Sequence, residues 1–453
     1  MLKKTLFPIL FVIVLVIIYF TASKTVFTEK SITIFWAEWD PADFLQELVL
    51  DFENETGIKV HVETTPWSDF QTKTFQEFAA RGDGFDMVIG DSQWLGAGAT
   101  SGHYVDITDW FIENKVDKIM APATIACYAE YPAGSKKYYA VPFEADAFGW
   151  AYRKDLFEDP KEKKAFKRKY GYELDVPETW AQLRDIAEFF YRPKQGLYGC
   201  GIWTERGYDA ITMGLENVFF SWGADFGDRK RYTVDGIVNS QKAIEALEFY
   251  KELYSYCPPD WGNTWYQQAN QGLTEGMVVM TQNFYAFLPA LTNPSINKYA
   301  DVTGFFANPE GPYGDRHAAL GGQGISINAY TKKRKLCFKF LEWFIRDDVQ
   351  ERWAEVGGFP ASSKVLLSEK FQKATNFNEA FSTSMFMVKD FWNIPHYAEL
   401  LEIFQRRTHQ YLVEDKGTAR QALNMIAQEH TELLKREGYI KDTISADSRD
   451  FSY

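Results

Sequence analysis

Glu144 and Asp146 stand two residues apart in Val141-Pro142-Phe143-Glu144-Ala145-Asp146. Paired carboxylates suit either acid–base chemistry or the acceptance of hydrogen bonds. The first needs an acid and a nucleophile flanking a glycosidic bond. Residues two apart on a strand share a face, so they are not set on opposite sides of such a bond. The sequence has no GxSxG, no HExxH and no glycine-rich phosphate loop. Its six His are scattered, and no catalytic residue, metal ligand or cofactor is expected. Recognition by acceptors and rings remains. Gly90-Asp91-Ser92-Gln93-Trp94 sets a carboxylate and an indole at the end of a short apolar run, and Trp36, Glu38, Trp39 and Trp67 extend the pattern.

These side chains need strand ends to hold them. Ser31 to Trp36 alternates as a strand, and Leu45, Leu48, Val49 and Phe52 give a helical stripe closed by Gly57. Asp40 reads as the helix N-cap and Pro41 as its first residue. Ile58, Val60 and Val62 alternate as a second strand, Ser68 caps a second helix, and Met87 to Ile89 is a third, buried strand. Each strand thus runs into a Trp-bearing loop in a β-α-β-α-β order, a doubly wound α/β layout. Ligands of such sheets lie beyond the carboxyl ends of strands. The bland reading makes Asp91 a cap and Trp94 a packed ring. Further on, Lys136 to Phe157 reads as two extended pieces around Val141-Pro142-Phe143. Val176-Pro177-Glu178-Thr179-Trp180 opens a helix with Pro177 near its first turn, Ala243 to Tyr254 is a helix, and Gly276 to Met280 is a buried strand. A glycine turn at Gly321 leads into another strand.

At 453 residues the chain exceeds one core and implies two or more domains. Aromatic content of 17%, with 14 Trp and 25 Tyr, suits a protein that stacks on its ligand. A net charge of −13 argues against nucleic acid. The Lys-rich stretch from 161 to 169 reads as a solvated helix face. Lys3 and Lys4 precede an apolar run from Leu6 to Phe20 followed by Thr21-Ala22-Ser23, the order of a secretory signal. Residues 1–27 are therefore a signal peptide or an uncleaved N-terminal anchor, and the rest is exported to the periplasm, retained at the inner membrane if the anchor stays. Cys127, Cys200, Cys257 and Cys337 form no CxxC pair; disulfides and buried thiols both remain open.

Taken in order, several segments resemble the extracellular sugar-binding proteins that serve ABC importers, the maltose-binding-like group: Phe52 to Val60, Ala79 to Gly96, Tyr138 to Phe157, Pro177 to Leu183, Gly272 to Met280, Gly321 to Phe344 and Gly357 to Val365. Tyr152-Arg153-Lys154 stands where the family usually has Tyr-Asn-Lys. The resemblance implies a two-lobe periplasmic-binding-protein fold of type II, each lobe a doubly wound mixed sheet, joined by hinge segments. Residues 28–143 with 323–362 form the N-terminal lobe, and 144–322 with 363–453 the C-terminal lobe. The implied protein is a monomer that captures a sugar or polyol and delivers it to an ABC permease in the inner membrane. The alternatives are a membrane-tethered ligand sensor for a signalling partner and an exported carbohydrate-active enzyme.

A sugar is held by carboxylates and amides at its hydroxyl edge and by rings on its C–H faces. The expected contacts are Trp36, Glu38, Trp39, Trp67, Asp91, Trp94, Glu144, Asp146, Asn283, Tyr285, Gln323 and Trp392. Glu144 and Asp146 have the alternative of pairing with a lysine or arginine. Trp150, Trp203, Trp222, Trp343 and Trp353 are assigned to packing.

Overall fold

The computed structural model describes residues 30–440; the apolar N-terminal run, read as signal or anchor, lies outside the described residues. The strands are β1 (Ser31–Ala37), β2 (Lys59–Thr65), β3 (Met87–Asp91), β4 (Val141–Arg153), β5 (Tyr198–Gly201), β6 (Val278–Phe284), β7 (Thr303–Ala307), β8 (Ala318–Ile327) and β9 (Val388–Lys389). They form one mixed sheet in the order β2-β1-β3-β8-β4-β6-β5, with β7 beside β4 and β9 beside β8. The helices that bear on the site are α1 (Asp40–Thr56), α2 (Trp67–Ala79), α3 (Trp180–Phe190), α4 (Ala210–Ser221), α5 (Gln241–Tyr254), α6 (Tyr266–Thr274), α7 (Arg334–Phe344), α8 (Asp347–Glu355), α9 (Tyr397–Leu412) and α10 (Ala419–Arg436).

The β1–β2 and β1–β3 pairs are parallel, as β-α-β connections require. β1 is buried along most of its length, whereas β2 alternates as an edge strand does. β4 belongs to both halves of the molecule. Its residues from Val141 to Ala147 pair antiparallel with β8, and those from Phe148 to Arg153 pair with β6 and β7. The fold is α/β with two lobes, and β4 and β8 carry the chain between them. The two extended pieces expected around Pro142 are one strand. A register shift between Pro142 and Glu144 absorbs the proline's missing N–H. Likewise the Gly321 turn lies inside β8. Gly322 has φ +84°, and a Cβ there falls 2.2 Å from the Glu144 carbonyl oxygen, so this crossing admits only glycine.

Helix starts also shifted. α1 begins at Asp40 with Trp39 as its cap, and α2 begins at Trp67 behind Pro66, neither with a side-chain cap bond. Pro177 lies ahead of α3. There Thr179 accepts a hydrogen bond from the Gln182 backbone N–H, and the Gln182 side chain answers, a capping box that sets the start at Trp180. The Lys-rich helix, Pro160–Tyr170, buries only Phe166 and exposes its charges.

The four cysteines are free thiols; Cys200 and Cys257 both donate to the Leu253 carbonyl, at 3.5 and 3.6 Å. Among the described residues no helix is long and apolar enough to cross a membrane.

Packing is dominated by rings. Phe143 is fully buried, stacks on Phe344 with centroids 4.1 Å apart, and touches Trp36 and Trp353. In the other half Trp150 packs on Phe306 and Trp180, and its indole donates to Asn308 at 2.9 Å. Replacing Phe143 by Ala leaves a cavity where β4 enters the crossing. We expect an unfolding free energy lower by about 3–5 kcal/mol, measured by denaturant titration.

Candidate functional site

Three groups of residues meet in one cavity of about 70 Å³. From the first half come Trp39 in the β1–α1 loop, Trp67 at the start of α2, and Asp91 and Gln93 at the end of β3. The second half supplies Trp203, Tyr208 and Asp209 after β5, Met213 on α4, Trp265 and Tyr266 at the start of α6, and Phe284 and Phe287 at the end of β6. The crossing strands give Asp146, Leu320, Gly321, Gly322 and Gln323. The site thus lies at strand ends, where an open α/β sheet leaves its crevice.

Six of these rings close into a collar. Trp39 meets Trp67 edge-on with centroids 5.3 Å apart, Trp67 meets Tyr208 at 6.1 Å, and Tyr208 meets Trp265 at 6.1 Å. Trp265 then meets Tyr266 at 4.8 Å, Tyr266 stacks on Phe287 at 4.3 Å, and Phe287 returns to Trp39 at 6.0 Å. All six rings are half-buried, whereas Gln93, Asp146, Trp203, Leu320 and Gln323 are 4% exposed or less. The collar therefore forms the mouth and the acids and amides the floor. Two collar contacts, Trp67–Tyr208 and Trp39–Phe287, join the halves. So do the hydrogen bonds from the Tyr208 hydroxyl to Asp91 at 2.9 Å and from the Gln93 amide to Asp209 at 3.4 Å. The lobes are closed on each other.

Tyr208 has φ +51°, a left-handed backbone that costs about 1–3 kcal/mol for a residue with a Cβ and persists only where surroundings enforce it. The Gln405 side chain of α9 donates to its carbonyl, and the ring is clasped between Trp67 and Trp265. A second cavity of about 240 Å³ adjoins across Gln93, Tyr208 and Asp209 and is lined beyond them by Gln71, Arg206, Tyr397 and Glu402.

Electrostatically the floor is acidic. Burial lifts Asp91 to about 7, opposed by the Tyr208 hydrogen bond and assisted by Asp390. Asp209 is raised well above the usual carboxylate range by burial and by Asp91 and Asp390. Asp146 is raised by burial against hydrogen bonds from the backbone N–H groups of Ala147 at 2.8 Å and Ala286 at 3.3 Å. Among the described residues no group of His, Cys, Asp or Glu is placed to hold a metal ion.

Of the twelve expected contacts the structure brings Trp39, Trp67, Asp91, Asp146 and Gln323 to the cavity. Trp36 stands behind it, fully buried, with its indole donating to the Gln323 side chain. Glu38 is exposed and outside the lining, and Trp94 is buried against Phe70 and Phe75. Glu144 is fully buried and accepts from the Phe359 backbone N–H at 3.4 Å, so only one acid of the pair reaches the cavity. Asn283 is turned onto the start of α6, donating to the Tyr266 carbonyl at 3.1 Å and to Asn270 at 2.8 Å. Tyr285 is buried, with its hydroxyl donating to the Phe306 carbonyl at 3.2 Å. Trp392 packs on Tyr232 under the Arg229 guanidinium. Missed were Gln93, Tyr208, Asp209, Trp265, Tyr266, Phe284 and Phe287. Trp203, assigned to packing, is buried but lines the floor.

The raised Asp91 fixes the sign of one pH effect. Between about 4, the unfolded value, and about 7 the folded protein keeps a proton that the unfolded chain releases. Stability from this residue is therefore present at low pH and lost as pH rises across that window. Asp91→Asn removes the loss. Thermal or denaturant unfolding should show the variant gaining on the parent from pH 4 to 7, with the difference level above.

Comparison with known proteins supplies the wider setting. Residues 38–351 match the family described as bacterial extracellular solute-binding protein. A probable ABC transporter-binding protein of Deinococcus radiodurans is 24% identical over 302 residues, 65% of this chain and 66% of that one. A mannitol-binding protein of Pseudomonas aeruginosa is 26% identical over 206 residues, 45% of this chain and 44% of that one. The chain thus spans less than two thirds of the length of either relative. In three dimensions the chain is similar to an ABC transporter solute-binding protein from Agrobacterium radiobacter K84 in complex with ribitol. The TM-score is 0.73 at 22% identity, covering 89% of this chain and 98% of that one. Since the family match covers well over half of its length, the chain belongs to the bacterial extracellular solute-binding proteins.

Proposed function

We propose that this protein is the substrate-binding component of an ABC importer, capturing a polyol or sugar between its lobes and handing it to a membrane permease. One observation carries the reading: a cavity between two closed lobes, with rings around its mouth and carboxylates and amides in its floor. Rings cover the C–H faces of a polyol while Asp91, Asp146, Asp209, Gln93 and Gln323 meet its hydroxyls. Trp39 and Trp67 hold indole N–H groups without a hydrogen-bond partner, donors that suit hydroxyl oxygens. Two of the proteins compared above are described with mannitol and ribitol, which favours alditols in the first screen. In this reading the protein binds without transforming its guest, works as an exported monomer, and uses residues 1–27 as signal or anchor. The lobes comprise 28–143 with 323–362 and 144–322 with 363–453, consistent with β4 changing partners after Ala147.

The test is calorimetry of the exported part against alditols and sugars, paired with solution scattering. A ligand should be found that compacts the protein, and Trp39→Ala or Trp67→Ala should each weaken it by about 1–3 kcal/mol, the range for a buried aromatic anchor. Affinities unchanged in both folded variants would remove the collar from the site. No compaction with any solute would remove the capture mechanism.

A further inference from the structure

The lining of the cavity carries three carboxylates, Asp91, Asp146 and Asp209, and no Lys, Arg or His. Sugar hydroxyls can donate to such carboxylates, but being neutral they leave the excess of charge uncompensated. Asp146 is served by two backbone N–H groups and Asp91 by the Tyr208 hydroxyl. Asp209 is 9% exposed and, among the described residues, receives a side-chain hydrogen bond only from the Gln93 amide, at 3.4 Å. Arg206, which lines the adjoining cavity together with Asp209, is taken by Glu402 at 2.8 Å. Arg229 is spent on the backbone carbonyl of Phe391, at 2.6 Å, and on that of Asp390. Around these acids stand the six collar rings, whose faces attract cations. In addition the indole N–H of Trp203, 1% exposed and part of the lining, has no hydrogen-bond partner among the described residues. The site therefore asks for two things at once: a positive charge for its acids and faces, and a hydroxyl acceptor for its indoles.

We propose that the guest is a polyol- or carbohydrate-sized molecule bearing a protonated amine, held with its ammonium group at Asp209 and Asp91 inside the aromatic collar. This rests on the polyol or sugar reading above and narrows it. An ammonium group neutralises buried carboxylates that have no other cation, whereas a neutral alditol leaves them to take up protons. The pH dependence follows. The groups that face Asp91 and Asp209 are Tyr104, Tyr208, Tyr397, Gln93, Asp390 and, beside Asp209, the buried Glu216; Asp390 and Glu216 are themselves beside Arg229, and Asp390 beside Ser92. Among the described residues none facing the pair is basic. As pH rises through about 7 Asp91 ionises, and affinity for the amine rises with it, accompanied by proton release that calorimetry reads as a buffer-dependent heat.

The experiment compares matched pairs on the exported protein, with amines that stay protonated at pH 8: sorbitol against 1-amino-1-deoxysorbitol, and mannitol against 1-amino-1-deoxymannitol, with tetramethylammonium as a cation lacking hydroxyls. At pH 8 the amine of a pair should bind about tenfold tighter than its neutral partner, the worth of one desolvated cation–π or charge contact, and the advantage should shrink at pH 6. Asp209→Asn should bring the ratio towards one and Asp209→Glu should preserve it. Neutral members that bind as tightly as the amines, with no proton release, overturn the proposal and leave the polyol reading standing. Tetramethylammonium binding while every hydroxylated neutral or amine fails keeps the cation site and sinks the polyol reading. Absence of binding by all five removes both.

Discussion

One strand, β4, has to satisfy both halves of the sheet at once. β4 gives its first seven residues to β8 and the rest to β6 and β7, so both halves are anchored on one continuous backbone ladder. Any displacement of one half must be absorbed near the point where the partners change, between Asp146 and Phe148. That is also where the floor of the cavity lies, with Asp146 on β4 and Gly321 to Gln323 on β8. Glycine at 322 is enforced by its positive φ and by the Glu144 carbonyl pressed against it. The crossing is narrow because its neighbours leave no room for side chains, and the narrowness lets two lobes share one cavity.

Burial explains why the acids at this place differ from surface ones. Removed from water, Asp91, Asp146 and Asp209 lose hydration that few donors replace. The contacts between the lobes hold Asp91 and Asp209 under the same cover. A guest that donates hydrogen bonds or charge relieves the same cost that protons otherwise relieve. The surface shows the contrast: Lys332 and Asp83 pair in water at 2.7 Å, an arrangement of little energetic weight.

The sequence made the framework legible wherever local periodicity decides. β1, β2, β3, α1 and α5 follow from alternation, apolar runs or helical stripes, because each buries one face or two against a neighbour. Helix starts were less legible, since Pro66 and the Thr179–Gln182 capping box settle them through geometry that composition only hints at. At the site, the rule that strands end in aromatic loops located Trp39, Trp67 and Asp91. The same rule, applied to Trp203 after β5 and to Thr264-Trp265-Tyr266 before α6, reaches the residues that were missed. Asn283, Tyr285 and Trp392 carry the right side chains, but their partners are distant in sequence: Tyr266 and Asn270, Phe306, and Tyr232 with Arg229. No local pattern encodes such pairings. Tyr208 was hidden for another reason, since its role depends on a left-handed backbone that its neighbours impose.

The collar is unequally divided. Trp39 and Trp67 belong to one lobe, while Tyr208, Trp265, Tyr266 and Phe287 belong to the other as an unbroken arc. Opening parts only the two seams, so the larger arc survives as a ready-made shelf and the smaller becomes a detached clasp. The larger arc holds four rings, of which Tyr266 and Phe287 are stacked and Trp265 stands nearly perpendicular to Tyr266; the smaller holds two indoles. Under the proposed capture, this division implies an order in which a guest settles first on the four-ring wall and the two-indole jaw closes over it.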